Sequence, residues 1–357
     1  ILREELEERG SIFATSSDTE VILHLVAGYQ QGTFINRLVD GLMRVDGAYS
    51  LVLMTEETMV AVRDPWGFRP LVLGKRGSAW VVASETCALG LIDADYVREV
   101  EPGEMVIIDR DGIQSLRPFP RRPRRACIFE LVDFARPDST VFGRAIYDFR
   151  YQLGSVLAQE HPVNADVVIP VPDSGVPGAL GFSQVSGVPY GLGLTRSHYV
   201  GRRYIEPSQQ IRDFGAKLKL SPVRSVIEGK RVVVVDNLLL RGATLKKVVR
   251  MLRQNGAVEV HIRITSPPTI ASCFSGAETL RGGFLIATRM SVGDIATYLG
   301  ADSLSYLSLA GLRQVEGDDQ GRFCEACFTA EYPVDPHPDR LHRQMPLFVE
   351  GESSEEQ

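Results

Sequence analysis

The chain has 357 residues, a length that predicts two domains or one large domain with appendages. Of these residues 44% are hydrophobic and 24% are charged, which is typical of a soluble globular protein. Its net charge of -6 argues against a nucleic-acid-binding protein, and no apolar run approaches the ~20 residues that a membrane-spanning helix needs. Five cysteines in a chain of this length do not form a secreted disulfide framework, so we expect a cytoplasmic protein with reduced thiols or a metal site.

The first part of the chain predicts helices followed by a sheet. Residues 1–8 already follow a helical pattern, so the chain is expected to begin inside a domain. Residues 16–20 form a cap-like cluster before a second helix in 21–27, and helix capping is one role open to Asp18. Apolar and β-branched segments then predict strands at 47–54, 59–64, 71–74, 80–84 and 105–109.

A basic, proline-containing stretch follows this predicted sheet. Residues 121–125 read Arg-Arg-Pro-Arg-Arg, and Pro118, Pro120 and Pro123 would interrupt any helix there. We interpret this stretch as a linker between two domains.

The most informative stretch is residues 232–252. Four consecutive valines predict a strand buried on both faces, and the apolar spacing of Leu245, Val248, Val249 and Leu252 predicts a helix after it. Asp236 leaves the carboxyl end of the strand, which is where open α/β sheets bind ligands.

The loop between this strand and helix has the features of a phosphate cradle. It ends in Arg241-Gly242-Ala243-Thr244, where free backbone N–H groups and the helix dipole favour an anion. Gly242 permits close approach and Thr244 can cap the helix. The stretch is neither a P-loop nor a dinucleotide fingerprint, and an ordinary strand and turn is the alternative.

Two further segments fit a ligand site in the same half. A strand at 166–171 leads into Asp173-Ser174-Gly175, a turn whose N–H groups can meet a diphosphate and whose Ser174 hydroxyl can join a metal's oxygen shell. The glycine-containing basic segment 199–220 suits either a lid that orders on a polyanion or a solvated loop. A strand in 256–264 completes the alternation of a parallel sheet.

The cysteines include a pair with the spacing of metal ligands. Cys324 and Cys327 are separated by two residues, while Cys127 and Cys273 are distant in sequence. Spacing alone leaves zinc, an iron–sulfur cluster and an uncomplexed pair open.

Several of these segments together resemble one family. Residues 2–6, 17–20, 63–71, 83–87 and 101–105 are similar to the later part of the glutaminase domain of the glutamine phosphoribosylpyrophosphate (PRPP) amidotransferases, and 127–139 are similar to its junction with the transferase domain. The two polar residues followed by Arg-Gly-x-Thr resemble that family's PRPP signature, and the cysteine positions resemble its iron–sulfur-containing branch.

The resemblance implies an α/β fold with two domains. These are the C-terminal part of an N-terminal-nucleophile (αββα) glutaminase domain, in residues 1–117, and a type I phosphoribosyltransferase domain with a parallel sheet, in residues 118–290. A helical segment with cluster ligands, 291–333, and a disordered tail, 334–357, would follow. The glutaminase nucleophile would lie upstream of Ile1, so glutaminase activity is not expected from this chain alone.

The resemblance also assigns roles to individual residues. Asp18 would hold the α-amino group of glutamine. Magnesium would be held by Ser174, Asp236 and Asn237, and Cys87 would be a buried small hydrophobic residue outside the cluster. PRPP would be bound by Asp173, Ser174, Gly175, Asp236, Asn237, Arg241, Gly242, Ala243 and Thr244. A [4Fe–4S] cluster would be bound by Cys127, Cys273, Cys324 and Cys327.

The activity that the resemblance implies is that of an amidophosphoribosyltransferase, a glycosyltransferase and glutamine amidotransferase. Glutamine-derived ammonia attacks PRPP to give 5-phosphoribosylamine, pyrophosphate and glutamate, the first committed step of purine synthesis. Expected partners are these small molecules, purine nucleotides as inhibitors and further copies of the chain, with neither nucleic acid nor membrane.

The chain departs from the family pattern near the predicted chemistry. The family has an aspartate at Asn237, a serine at Leu238 and a threonine at Ala243, and its Tyr-Gly-Ile-Asp run is replaced by residues 275–278, beginning with Ser275. A weakened or inactive homologue with a structural or regulatory role is therefore the alternative. A base-salvage phosphoribosyltransferase would leave the first part and the cysteines unexplained.

Overall fold

The computed structural model describes residues 2–29, 31–196, 220–276 and 284–335. The chain divides into two compact units, with residues 2–47 in the first and residues 48–331 in the second. The predicted lid, except Leu220, and the predicted tail beyond residue 335 lie outside the described residues.

The first unit contains both helices that the sequence predicts at the start of the chain, Leu2–Glu8 (α1) and Asp18–Gly28 (α2). A further helix, Phe34–Leu42 (α3), was not predicted. The Glu20 carboxylate turns back to accept hydrogen bonds from the backbone of Ala14 and Thr15 and from the Thr15 hydroxyl. These hydrogen bonds, first that of the Thr15 hydroxyl, lower the pKa of Glu20 to about 2.

The second unit opens with two antiparallel sheets. Their elements are Ser50–Met54 (β1), Met59–Arg63 (β2), Val72–Arg76 (β3), Ala79–Ala83 (β4), Thr86–Gly90 (α4), Asp95–Glu99 (β5), Met105–Asp109 (β6) and Gly112–Leu116 (β7). One sheet has the order β1-β2-β6-β7 and the other the order β4-β3-β5. All five predicted strands are present, whereas β5 and β7 were not predicted.

Two buried charged residues, Arg63 and Asp64, fix the turn that follows β2. The Arg63 guanidinium is fully buried and donates to the carbonyl oxygens of Val100, at 2.8 Å, and Gly67, at 2.9 Å. The Asp64 carboxylate accepts backbone N–H groups of Tyr49 and Phe68, and burial raises the pKa of this carboxyl to about 6. Because both charges are bonded to the backbone, the loop is held closely against the sheet.

The rest of the second unit is an α/β arrangement. Its elements are Ala126–Cys127 (β8), a π-helix at Glu130–Phe134, Thr140–Val141 (β9), Arg144–Ala145 (β10), Ile146–Glu160 (α5), Val167–Pro170 (β11), Val176–Ser186 (α6), Leu194–Arg196 (β12), Leu220–Pro222 (β13), Arg224–Ile227 (α7), Arg231–Asp236 (β14), Ala243–Gln254 (α8), Glu259–Ile264 (β15), a 3-10 helix at Ile286–Thr288, Val292–Leu299 (α9), Ser303–Tyr306 (β16), Leu309–Glu316 (α10), a 3-10 helix at Gly317–Asp319, Phe323–Cys324 (β17) and Ala326–Thr329 (α11).

The main sheet here is parallel, with the order β11-β14-β15-β16. The four valines of β14 are fully buried, with Val233 and Val235 in one hydrophobic core and Val232 and Val234 in the other. The apolar residues of α8 pack into the second of these cores; they are Leu245, Val248, Val249 and Leu252. The predicted strand, helix and parallel sheet are therefore confirmed.

The predicted linker has no regular structure but is not detached. Residues 117–125, all within the described part of the chain, form neither helix nor strand. The Arg125 N–H donates to the Trp66 carbonyl at 2.8 Å, and the guanidinium groups of Arg122 and Arg124 lie over aromatic rings. Across the described ranges, no helix has the length and apolar character that crossing a membrane requires.

Helices α5 and α6 approach so closely that glycine is required between them. A Cβ atom on Gly154 would overlap the backbone of Gly178. We expect Gly154→Ala to destabilise the protein by about 1–3 kcal/mol, because overpacking forces the helices apart. Gly90→Ala is the control, since a Cβ there meets no atom within 4 Å. Urea unfolding checks both, and equal stability of the two variants would contradict the packing argument.

Candidate functional sites

A cavity of about 520 Å³ lies at the carboxyl ends of β11 and β14. It is lined by Asp133, Phe134, Ala135, Arg136, Pro137, Arg150, Val171, Pro172, Asp173, Ser174, Arg196, Leu220, Ala243, Thr244, Lys247, Val248 and Met251. The cavity therefore collects residues of both loops that the sequence predicts to bind PRPP.

The loop after β11 is held by a glycine that approaches the backbone closely. A Cβ on Gly175 would lie 2.5 Å from the Val235 carbonyl oxygen, and the Gly175 N–H donates to Val171 at 3.0 Å. The peptide bond between Pro172 and Asp173 is cis. Asp173 is exposed and forms an ion pair with Arg196 at 2.5 Å. Asp173 and Ser174, which are predicted to bind PRPP, line the cavity, while Gly175 supports the turn.

The loop after β14 leads directly into α8. Gly242 is the N-cap and has the left-handed backbone conformation, with φ +80°. The expectation that Thr244 caps the helix is therefore wrong, because Thr244 lies inside the first turn. Ala243 and Thr244 line the cavity, whereas Arg241 is exposed and is not among its lining residues. The first N–H groups of α8 give this end a partial positive charge.

Asp236 and Asn237 lie at the end of β14 beside a third polar residue, Asp133. The Asn237 N–H donates to Asp236 Oδ1 at 2.9 Å, and Asn237 Nδ2 donates to Asp133 Oδ1 at 3.5 Å. Burial, with a smaller contribution from the nearby Asp133, raises the pKa of Asp236 to about 7. Burial also raises the pKa of Asp133, which Arg150 counteracts.

Five charged residues that line the cavity were not predicted as site residues. They are Asp133, Arg136, Arg150, Arg196 and Lys247. No pattern marks Asp133 or Arg150, because both belong to helical segments and their position depends on tertiary packing. Lys247 lies in the predicted helix of residues 245–252, but the apolar spacing there does not mark it.

The departures from the family pattern have different structural settings. Leu238 packs against the larger hydrophobic core, so it is part of the scaffold. Ala243 faces the cavity. Ser275 lines a second cavity, of about 560 Å³, with Arg69, Glu85 and Glu130.

The structure brings the four predicted cluster cysteines together. Cys127 in β8 and Cys324 in β17 are directly paired across two parallel strands. Cys327 lies in α11, and its carbonyl accepts the N–H groups of Ile270 and Ala271, which precede Cys273. Each of the four thiols interacts electrostatically with the other three.

These thiols occupy an environment with little solvent. Burial raises the pKa of Cys127 to about 12 and raises those of Cys324 and Cys327. Arg69 donates to Cys127 Sγ at 3.9 Å and pairs with Glu130 at 2.5 Å. Four grouped thiols are a donor set for zinc or an iron–sulfur cluster, which would hold them as thiolates.

No three His, Cys, Asp or Glu side chains in the described ranges are arranged to bind a single metal ion. The cysteine sulfur atoms around a four-iron cluster lie farther apart than those around a single metal ion, because the cluster occupies the space between them. The cysteine group therefore fits a cluster better than one ion. Asp236 and Asn237 are not among the residues that line the cavity, but they lie at the end of β14 beside Asp133, which does line it. Their carboxylate and amide oxygens, like the Ser174 hydroxyl, are ligand types that suit a hard cation.

Asp18 and Cys87 have settings that differ from the simplest expectations. Asp18 is the first residue of α2 and is exposed, while Ser17 is the N-cap, so Asp18 does not cap the helix. Cys87 is only partly buried, and its thiol lies 3.8 Å from Glu85 Oε2, so it is not a buried hydrophobic residue.

Two families of known domains match the chain. The family described as "Glutamine amidotransferase domain" matches residues 1–90, and the family described as "Phosphoribosyl transferase domain" matches residues 153–265. The predicted fold class, a glutaminase-type domain followed by a type I phosphoribosyltransferase domain, is thereby confirmed.

Relatives cover nearly the whole chain. Amidophosphoribosyltransferase 2, chloroplastic, of Arabidopsis thaliana is 56% identical over 98% of this chain, which spans 63% of that relative's length. The solved glutamine PRPP amidotransferase from B. subtilis, complexed with ADP and GMP, is 47% identical, with a TM-score of 0.89 over 95% of this chain and 75% of that one. The amidophosphoribosyltransferase of Bacillus subtilis (strain 168) is 46% identical, and this chain covers 72% of it. The chain therefore belongs to the amidophosphoribosyltransferase family.

Proposed function

We propose that the chain carries the phosphoribosyl-transfer site of an amidophosphoribosyltransferase, which converts PRPP and glutamine-derived ammonia to 5-phosphoribosylamine, pyrophosphate and glutamate. The observation that carries the proposal is the cavity at the carboxyl ends of β11 and β14, lined by both predicted loops on a family scaffold. Sheets of this kind bind ligands at that edge.

The polar groups around the cavity suit a doubly phosphorylated pentose. The start of α8 supplies backbone N–H groups and the Thr244 hydroxyl for the 5′-phosphate. The turn at 173–175 supplies N–H groups for the pyrophosphate, with Ser174 beside it. Asp236 and Asn237, at the end of β14, are proposed to bind the ribose hydroxyls and magnesium.

The chemistry is displacement at a sugar carbon that becomes cationic as pyrophosphate leaves. Magnesium, when bound through Ser174, Asp236 and Asn237, neutralises charge on the leaving group. The residues of the chain orient PRPP and reduce contact with water, so positioning and charge stabilisation carry most of the rate acceleration.

The remaining parts of the proposal concern the other predicted ligands. Asp18 is proposed to bind the α-amino group of glutamine. The four grouped thiols are proposed to bind a structural [4Fe–4S] cluster that links β17 and α11 to β8. Purine nucleotides as inhibitors, assembly with further copies and a cytoplasmic location stay predictions. The second candidate function is a structural or regulatory homologue without activity. It is motivated by the loss of a negative charge at Asn237, and the activity assay below distinguishes it from the enzyme.

We expect magnesium-dependent release of pyrophosphate from PRPP when ammonium chloride is the nitrogen donor. Ammonium bypasses the glutaminase step, so the assay reports the proposed transfer site. Pyrophosphate is measured by a coupled assay with cluster-loaded protein. If that protein shows no turnover above background, the catalytic proposal fails and the structural or regulatory role is favoured.

Adjacent lysines in α8 provide a matched test of the cavity. Lys247 lines the cavity, whereas the Lys246 ammonium lies 3.8 Å from the centre of the Tyr298 ring. We expect Lys247→Gln to weaken PRPP binding about tenfold or more, since a hydrogen bond to a charged group contributes about 1.5–3 kcal/mol. Calorimetry measures the affinity.

Lys246→Gln is the control for this pair. It should leave PRPP affinity unchanged and lower stability by about 0.5–1 kcal/mol through loss of the cation–π contact. Equal affinities of the two variants for PRPP would contradict the assignment of the cavity.

Iron content tests the cluster proposal. Anaerobically purified protein should be brown and contain about four irons per chain, and Cys327→Ser should lose most of that iron. Cys87→Ser should retain it, because Cys87 lies outside the group of four thiols. Metal analysis and the visible absorption spectrum check this, and bound zinc in place of iron would exclude the cluster.

A further inference from the structure

A single π-helical turn carries Asp133 to the wall of the main cavity. The turn spans Glu130–Phe134 and is closed by a hydrogen bond from the Ala135 N–H to the Glu130 carbonyl at 3.0 Å. π-Helical turns are rare and occur often at functional sites. Asp133 comes from a segment that precedes both predicted PRPP-binding loops, so it is a separate contribution to the cavity.

Asp133 is directly bonded to the predicted PRPP-binding residues. Its Oδ1 accepts the Asn237 side-chain amide at 3.5 Å, and its charge acts on the Asp236 carboxyl. A carboxylate can only accept from an amide, so the NH₂ group of Asn237 must face Asp133 and the amide oxygen must face away. Asp133 thereby sets the orientation of Asn237.

The amide oxygen of Asn237 lacks a partner in the described structure, which indicates that a ligand binds it. Asn237 is only 1% exposed, and its Oδ1 is buried without a hydrogen-bond partner among the described residues. Leaving such an acceptor unpaired costs about 1–3 kcal/mol, and unpaired groups of this kind call for an explanation such as an unseen ion.

The buried guanidinium of Arg150 favours a charged Asp133. It donates from Nε to the Leu131 carbonyl, at 2.9 Å, and from Nη2 to the Ala135 carbonyl, at 2.8 Å. These carbonyls flank Asp133 on both sides, so the cation fixes the turn. Its charge also lowers the pKa of Asp133 against the effect of burial.

We propose that Asp133 is a positioning residue of the cation site: by accepting the NH₂ group of Asn237, it orients Asn237 Oδ1 so that this oxygen, together with Asp236 and Ser174, binds the divalent cation that accompanies the phosphorylated sugar. One carboxylate, one amide oxygen and one hydroxyl leave the remaining coordination positions to substrate oxygens and water, which is how Mg²⁺ is usually bound beside phosphates. Asp133 adds a second negative charge next to these ligands without binding the cation itself. This inference rests on the proposed function, since PRPP brings the cation.

Mn²⁺ binding measured by electron paramagnetic resonance, with PRPP present and absent, tests the inference without relying on turnover. We expect Asp133→Asn to weaken Mn²⁺ binding in the presence of PRPP at least about tenfold. The double variant Asp133→Asn/Asn237→Asp moves the charge back into the loop and should restore binding to within about threefold of the wild type. Asp148→Asn is the control, because Asp148 is an exposed acid of α5 outside this cavity.

The outcomes separate the inference from the proposed function. If the wild type binds Mn²⁺ with PRPP but Asp133→Asn binds it equally well, the inference is wrong and the function stands. If the wild type shows no PRPP-dependent binding, the proposed function itself fails. Should Asp133→Asn not fold, as judged by thermal melting, the double variant decides: its failure to bind would overturn the assignment of Asp133 as a positioning residue of the cation site.

Discussion

The buried guanidinium of Arg150 is the constraint on which the arrangement of both candidate sites depends. A cation taken out of water is tolerated only where it is hydrogen-bonded and near opposite charge. Arg150 satisfies this requirement through the carbonyl oxygens of Leu131 and Ala135 and through the nearby carboxyls of Asp133 and Glu130. The π-helical turn is thus held at both ends by one side chain from α5.

This turn connects the thiol group with the cavity. Glu130, at its start, pairs with Arg69, which donates to Cys127 Sγ, while Asp133, three residues later, accepts the amide of Asn237. Phe134 lines both the main and the second cavity. The thiol group is therefore connected to Asn237, at the end of β14, by a short series of contacts between largely buried side chains.

The sequence predicts those parts of the molecule that depend on local patterns. The valines of β14 and the apolar spacing of α8 predict the strand, the helix and the cavity edge because burial imposes the periodicity. The role of Thr244 was predicted wrongly because a glycine in the left-handed conformation can occupy the N-cap, and the string Arg-Gly-Ala-Thr does not show which residue begins the helix. Asp133 could not be found, since its contact with Asn237 spans more than 100 residues of the chain and depends on a π-turn without a sequence signal.

The departures from the family pattern near the cavity differ in their effects on packing, hydrogen bonding and charge. Leu238 replaces a hydroxyl of the family pattern with a side chain that packs into the core, which strengthens the scaffold and removes a donor from the loop. Asn237 removes a charge from the loop, but its amide is oriented by a carboxylate that comes from another segment. Counting acids along the loop therefore underestimates the negative charge of the folded site. Since a cation responds to the charges around it in space and not to their order in the chain, loss of the loop aspartate does not by itself imply loss of binding.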